Sequence, residues 1–448
     1  MTLAAAAAAV ATAVATVADR ARLLIVGDDL SGTADCAVTC THFGLDSVVA
    51  LGADADAALQ AVDVLALDAD TRGLPPGDAA RLNAAAWQAH SKGRRLYKKI
   101  DSTLRGNVAA EIAALTGAGM AIVAPAFPAA GRTTVEGRQY VFDVPVEESE
   151  VWRNERIAGR ADLVEMLRQA GMKVALLGLD TLHQGLQQVR HSIIACQVDG
   201  VQALVCDART VQDLACIAEA SAPLDGLYWV GSAGLATPLV RAWQAAVAVP
   251  IQAQAAGFSD QAAHAGGVLV IVGSMSSVSH AQAEALAEQA GAEILACSID
   301  ATSLLDPMST RARELAQLAA QTLQQGRSVL VTVSQDQRAA VSDGARLARQ
   351  LAEQLGPVAQ HASALIATGG ETARAMLTCM GVRQLGIVSE IDTGVPLMRA
   401  RHLDRDFPVV TKAGGFGRPD TLYRAWRQLS ARRAGAASAA PTSTGEEL

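Results

Sequence analysis

The chain has 448 residues and 50% hydrophobic content, enough for two or three domains with sizeable cores. Aromatic residues make up only 3% and the net charge is −8 with no Lys/Arg cluster, which excludes base-stacking platforms and basic nucleic-acid surfaces. The seven cysteines, Cys36, Cys40, Cys196, Cys206, Cys216, Cys297 and Cys379, form no C-x-x-C pair. That pattern suits buried thiols in a reduced, cytoplasmic protein better than a zinc or disulfide framework.

The first 18 residues are uncharged and mostly alanine. They lack the basic start of a signal peptide and the apolarity of a membrane span. Residues 1–20 therefore read as a frayed or disordered leader. Short apolar runs then alternate with helical patterns. Strands are expected at Leu23–Val26, Ser47–Leu51, Val62–Leu67, Arg95–Ile100, Ala121–Ala124, Val174–Leu177, Ala203–Cys206 and Leu227–Val230. Helices such as Asp78–Ser91 and Val108–Leu115 fall between them. The aperiodic stretch 247–266, holding Pro, Gly and Gln, reads as a linker.

A second series of strands follows at Val268–Val272, Glu293–Cys297, Ser328–Val333, Ala364–Ala367, Pro396–Ala400 and Val409–Thr411. The low-complexity end, 431–448, reads as disordered. The expected fold class is α/β, with two domains, 21–246 and 267–430, each a mostly parallel sheet flanked by helices.

Ligands of open parallel sheets bind beyond the carboxyl ends of the strands. In the first half those ends carry Asp28, Asp29 and Ser31; Asp68, Asp70, Thr71 and Arg72; "KKIDSTLRGN" with Lys98, Lys99, Asp101, Ser102, Thr103 and Arg105; and "APAFPAAGRTTVEG" with Arg132. Asp, Ser and Thr there could be ordinary helix caps. Capping needs no lysine or arginine, however. Carboxylates, cations and hydroxyls together suit a small, polar, anionic ligand such as a hydroxy acid. The Asp28–Asp29 pair could take a proton from a hydroxyl or hold Mg²⁺.

The second half carries glycine loops instead. "VGSMSSVSHAQ" places Gly273, Ser274, Ser276 and Ser277 after a strand. "ATGGETA" places Gly369, Gly370, Glu371 and Thr372 at a helix start, and "VTKAGGFG" supplies Lys412, Gly414, Gly415 and Gly417. Such loops let backbone N–H groups approach phosphate. Neither a Walker loop nor a dinucleotide fingerprint is present, so this is no P-loop enzyme or standard dinucleotide binder.

With "IVGDDLSGTAD", "APAFPAAGR", "VGSAGLA" and "EIDTGVPL", these segments resemble the four-carbon acid sugar kinase family in the same order, over about Leu23 to Gln428. Members phosphorylate D-threonate, D-erythronate or 3-oxo-tetronate with ATP. The resemblance implies an N-terminal domain for the acid and a C-terminal domain for ATP. It implies that Asp28 or Asp29, Arg72 and Lys99 to Ser102 bind the acid, and that Ser274, Gly369 to Thr372 and Gly414 bind ATP. The site expected here comprises Asp28 and Asp29 as catalytic groups. Arg72, Lys99, Asp101, Ser102 and Arg105 are expected around the acid. Ser274, Gly369, Gly370, Glu371, Thr372, Lys412, Gly414 and Gly415 are expected around ATP, with Mg²⁺ on ligands not assigned. No nucleic-acid or membrane partner is expected, and self-association is left open. The rival readings are a nicotinamide-dependent hydroxy-acid oxidoreductase, which the missing fingerprint disfavours, and a non-catalytic sugar-acid sensor.

Overall fold

A computed structural model describes residues 22–52, 61–247, 266–306, 308–334, 344–403 and 405–438. The alanine-rich leader and most of the expected linker lie outside these residues. The chain divides into two compact units between the helix Ala233–Val247 and the strand Val268–Val272.

The strands of the first unit are β1 (Leu23–Gly27), β2 (Ser47–Leu51), β3 (Val64–Asp68), β4 (Arg95–Lys99), β5 (Met120–Ala124), β6 (Arg132–Val135), β7 (Arg138–Val141), β8 (Val144–Pro145), β9 (Val174–Leu177), β10 (Ala203–Cys206) and β11 (Leu227–Gly231). Eight of them form a parallel sheet in the order β2-β3-β1-β4-β11-β5-β10-β9. β1, β3, β5, β10 and β11 are buried along their whole length, which is why they read as continuous apolar runs without alternation. Leu24, Val26, Leu65, Leu67, Val123 and Val205 belong to the core this creates. From β1 the chain first runs to β2 and β3 on one side, then crosses to β4 on the other. The strand order therefore reverses between β1 and β4, and that switch point opens a crevice at the carboxyl ends.

The strands of the second unit are β12 (Val268–Val272), β13 (Ile294–Ile299), β14 (Ser328–Val333), β15 (Ala364–Thr368), β16 (Gln384–Asp392), β17 (Val395–His402) and β18 (Arg405–Lys412). Their order is β13-β14-β12-β15-β18-β17-β16, parallel from β13 through β18 and antiparallel from β18 to β16. Here the order reverses between β12 and β15. Helices flank both sheets. Pro76–His90 buries Ala79, Asn83, Ala86 and His90, one stripe at helical spacing, and starts on a proline, where no intrahelical N–H is lost.

The α/β class with two mostly parallel sheets agrees with the sequence reading. Three features differ from it, the first being β16 (Gln384–Asp392), which was not expected as a strand. The three-stranded antiparallel sheet β6-β7-β8 was not anticipated, because its strands are only two to four residues long. The helix Thr421–Ser438 also runs past residue 430, where a disordered tail was expected to begin. All seven cysteines are free; Cys36, Cys40 and Cys206 are buried, but Cys379 is exposed. No helix among the described residues is long and apolar enough to cross a membrane.

Candidate active site

In the first unit the loop after β1 is built around close approaches. A side chain on Gly27 would collide with Thr33, and one on Gly32 would meet the Lys99 ammonium and Asp29 Oδ1. Glycine at both positions lets the segment from Gly27 to Gly32 fold tightly against the end of β4. Asp29 caps the helix Leu30–His42, its Oδ1 accepting from the Gly32 N–H at 3.3 Å.

Arg72 enters from the loop after β3. Its Nε donates to Asp28 Oδ2 at 2.8 Å and its Nη2 to Asp28 Oδ1 at 3.1 Å. The same Nη2 lies 2.9 Å from Asp29 Oδ1. Burial opposes ionisation of Asp28, but Arg72, Lys99 and Lys98 outweigh it and hold its carboxyl below the usual carboxylate range. Burial likewise acts against the charges on Lys99 and Arg72. Asp29 and Asp28 overcome it, raising both cations above their ordinary values.

The "DSTLRGN" turn packs on this clamp. Gly106, at φ +84°, sits against Arg72 and Asp28 where a side chain would be crowded and strained. Asn107 donates to the carbonyls of Thr71 and Leu74, at 2.9 and 2.8 Å, tying the turn to the Arg72 loop. Asp101 is paired with Arg105, whose Nε lies 2.7 Å from Oδ2, and accepts from Thr103. Burial would raise the Asp101 pKa, yet Arg105 and Arg72 hold it well below normal. Ser102 is nearly buried, its carbonyl accepting from Gln139 at 2.8 Å. Lys98 lies in a buried ion pair with Glu111, 2.7 Å away, which also accepts from the Thr71 hydroxyl.

The structure thus brings Asp28, Asp29, Arg72, Lys99, Asp101 and Arg105 to one sheet edge, as expected. The two candidate bases, Asp28 and Asp29, differ in surroundings: both oxygens of Asp28 accept from Arg72, and its carboxyl is held below the usual range. Asp29 Oδ1 accepts from Gly32 and lies against Arg72, Lys99 faces the carboxylate electrostatically, and Oδ2 accepts no hydrogen bond among the described residues. The Asp29 side chain retains 22% exposure. Arg132, at the start of β6, adds a cation within electrostatic reach of Asp101 and Arg105. Its Nε is buried without a hydrogen-bond partner. Ser31 Oγ is buried and equally unpartnered. Gln139, Asn107 and Trp152, which donates to the Thr103 carbonyl at 2.7 Å, were missed because nothing local in the sequence marks them as partners of this turn.

In the second unit the glycine loops after β12, β15 and β18 meet at the reversal point. A side chain on Gly273 would strike Thr372, and one on Gly414 would strike Ser274. Gly369, at φ +89°, precedes the helix Gly370–Cys379 and donates its N–H to the Lys412 carbonyl at 2.8 Å. Gly415, by contrast, faces open space. A helix N-terminus beside these loops is an arrangement that accepts anions.

Lys412, expected around ATP, lies under this loop. Its ammonium is wholly buried, donating to Ser279 Oγ at 3.1 Å and to the carbonyls of Ala413, Gly414 and Phe416 at 3.0, 2.9 and 3.0 Å. Burial brings its pKa down to about 8. Three N–H donors are already shared over four acceptors, leaving none for a ligand. Ser279 and Gln282 lie three residues apart on one face of the helix Ser277–Ala290. Ser279 donates to the Gly414 carbonyl at 2.8 Å, and Gln282 to the carbonyls of Phe416 and Arg418 at 3.2 and 2.7 Å. That spacing was a readable signal. Asp392, in "EIDTGVPL", accepts from Thr421 at 2.7 Å and pairs with Arg418, anchoring the far end of the loop.

Comparisons with known proteins agree with this division. Residues 23–239 match a sugar-binding N-terminal domain, and residues 269–422 match a nucleotide-binding C-terminal domain. A D-threonate kinase of Cupriavidus necator is 44% identical over 420 residues, covering 92% of this chain and 99% of that protein. A D-threonate kinase of Bordetella bronchiseptica is 34% identical, covering 91% and 98%. A 3-oxo-tetronate kinase of Burkholderia multivorans is 29% identical, covering 92% and 98%. Among solved structures, a Salmonella typhimurium LT2 protein shares the fold with a TM-score of 0.73 at 22% identity, covering 91% of this chain and 99% of that one. Fold and relatives together define a two-domain phosphotransferase. The chain belongs to the four-carbon acid sugar kinase family, which sets aside the oxidoreductase and sensor readings.

Proposed function

We propose that the protein transfers the terminal phosphoryl group of ATP to the terminal hydroxyl of a four-carbon sugar acid, with D-threonate the first candidate. The observation that carries this reading is the cluster at the β1–β4 reversal, where Lys99 and Arg72 offer positive charge beside the partly exposed Asp29, with Arg132 near the adjoining Asp101–Arg105 pair. A sugar acid needs both: cations for its carboxylate and an acceptor for its hydroxyl proton. Asp29 takes that proton through Oδ2. Asp28 holds Arg72 in place, and the Asp101–Arg105 pair fixes the turn that carries Ser102.

ATP belongs with the second unit. Ser274, Gly369 to Thr372, Gly414 and Gly415 would hold its phosphates, largely through backbone N–H groups. Glycine packing at 273 and 414 and the open face at Gly415 fit such a cradle. Bound Mg²⁺ would neutralise charge on the transferring group. No cluster of three or more His, Cys, Asp or Glu among the described residues forms a metal site. Mg²⁺ is commonly held by one or two carboxylates together with substrate phosphates and water, so the ion would need no larger protein cluster.

The test is ADP release from ATP across the stereoisomers of threonate, erythronate and 3-oxo-tetronate, with the phosphorylated product identified by mass. Release with D-threonate and a matching product supports the reading. No release with any of these acids overturns it.

A further inference from the structure

We propose that Lys412 is the positioning residue of the nucleotide loop: its buried ammonium gathers the loop carbonyls inward and thereby turns the N–H groups of Gly414, Gly415 and Gly417 outward to receive phosphate. This rests on assigning ATP to the second unit.

The argument starts from peptide geometry. In a planar trans peptide, the N–H points opposite to the carbonyl of the preceding residue. Lys412 Nζ binds the carbonyls of Ala413, Gly414 and Phe416. The N–H groups that share those peptides belong to Gly414, Gly415 and Gly417, and they point away from the ammonium. None of the three has an acceptor among the described residues, whereas the neighbouring Phe416 and Arg418 N–H groups are satisfied by Ala413 and Thr421. Successive N–H groups facing one side form an anion-binding concavity. The cation thus acts through the backbone and never touches the ligand. Its place is fixed by Ser279, which accepts from Lys412 and donates to Gly414.

The glycines fit this role. Gly414 is held against Ser274, where any side chain would collide, and Gly417 adopts φ +85° against Thr421. Of the three, only Gly415 has open space where a side chain would stand.

The experiment compares wild type, Lys412→Met and Ser279→Ala in ATP and ADP binding by calorimetry and in steady-state kinetics. Methionine keeps the length and removes the donors. The expected result is at least a tenfold rise in Kd and in KM for ATP in Lys412→Met, with KM for the sugar acid unchanged. Ser279→Ala, which removes one contact and spares the cation, should show a smaller rise in the same parameter and keeps the test open if Lys412→Met does not fold. Unchanged ATP affinity in whichever variants fold overturns the inference, since a merely structural lysine would lower the melting temperature without moving KM for ATP. A wild-type protein that binds no adenine nucleotide overturns the ATP assignment as well.

Discussion

Arg72 grips Asp28 with two hydrogen bonds, 2.8 and 3.1 Å, and reaches Asp29 with the same Nη2 at 2.9 Å. One cation thus sorts two adjacent carboxylates into different tasks. In the proposed reaction Asp28 serves the clamp, and Asp29 keeps an oxygen for chemistry.

Asp28→Asn should therefore act on stability first. Removing one partner of a buried pair typically costs about 3–5 kcal/mol, because the other charge is left uncompensated. Here Asp29 offsets part of that cost, so the lower end is expected. Urea unfolding of the variant would show it. A midpoint equal to wild type would mean that the clamp is not structural.

The two glycines of the nucleotide loop should separate cleanly. Gly414→Ala puts a methyl group against Ser274 Oγ, so it should lower the melting temperature and ATP affinity together. Gly415→Ala meets nothing and should keep the fold, while crowding an approaching phosphate enough to raise KM for ATP several-fold. Equal melting temperatures for the two variants would contradict the packing described.

Arg132 should matter for the acid and not for ATP. Its buried, unpartnered Nε makes a sugar-acid carboxylate the natural counter-charge. Arg132→Ala is expected to raise KM for the acid at least tenfold with KM for ATP unchanged. Parallel changes in both would move Arg132 out of the acid site.

Acid should destabilise the first unit through Asp28 and Asp101. Both carboxyls sit below their ordinary value in the fold. The unfolded chain binds protons near pH 3.9 while these groups stay ionised. Their stabilisation is therefore fully present above that value, and is lost as pH falls through it toward each depressed folded pKa. Urea midpoints measured between pH 5 and pH 3 should fall less steeply in Asp101→Asn than in wild type. Identical slopes would show that Asp101 is not held ionised by the fold.

Much of this was legible in the sequence because buried parallel strands announce themselves. β1, β12 and β15 are unbroken apolar runs, and the polar residues that follow them mark the carboxyl ends. β16 was missed since its buried and half-buried positions mix polar and apolar residues around a bulge. Roles were harder to read than positions. Asp28 and Asp29 are neighbours of one chemical type, and only the direction of Arg72 tells them apart. Lys412 could be placed near the loop glycines from the sequence, but its contacts could not. Its burial by Ser279, 133 residues earlier, leaves no local trace.

The most direct test is the turnover of Asp29→Asn with ATP and the acid that wild type prefers. Loss of a general base typically costs ~10²–10⁴ in rate. The account predicts a fall in kcat of at least a hundredfold, with the melting temperature and KM for ATP close to wild type. Turnover near the wild-type rate in a folded Asp29→Asn protein would contradict it.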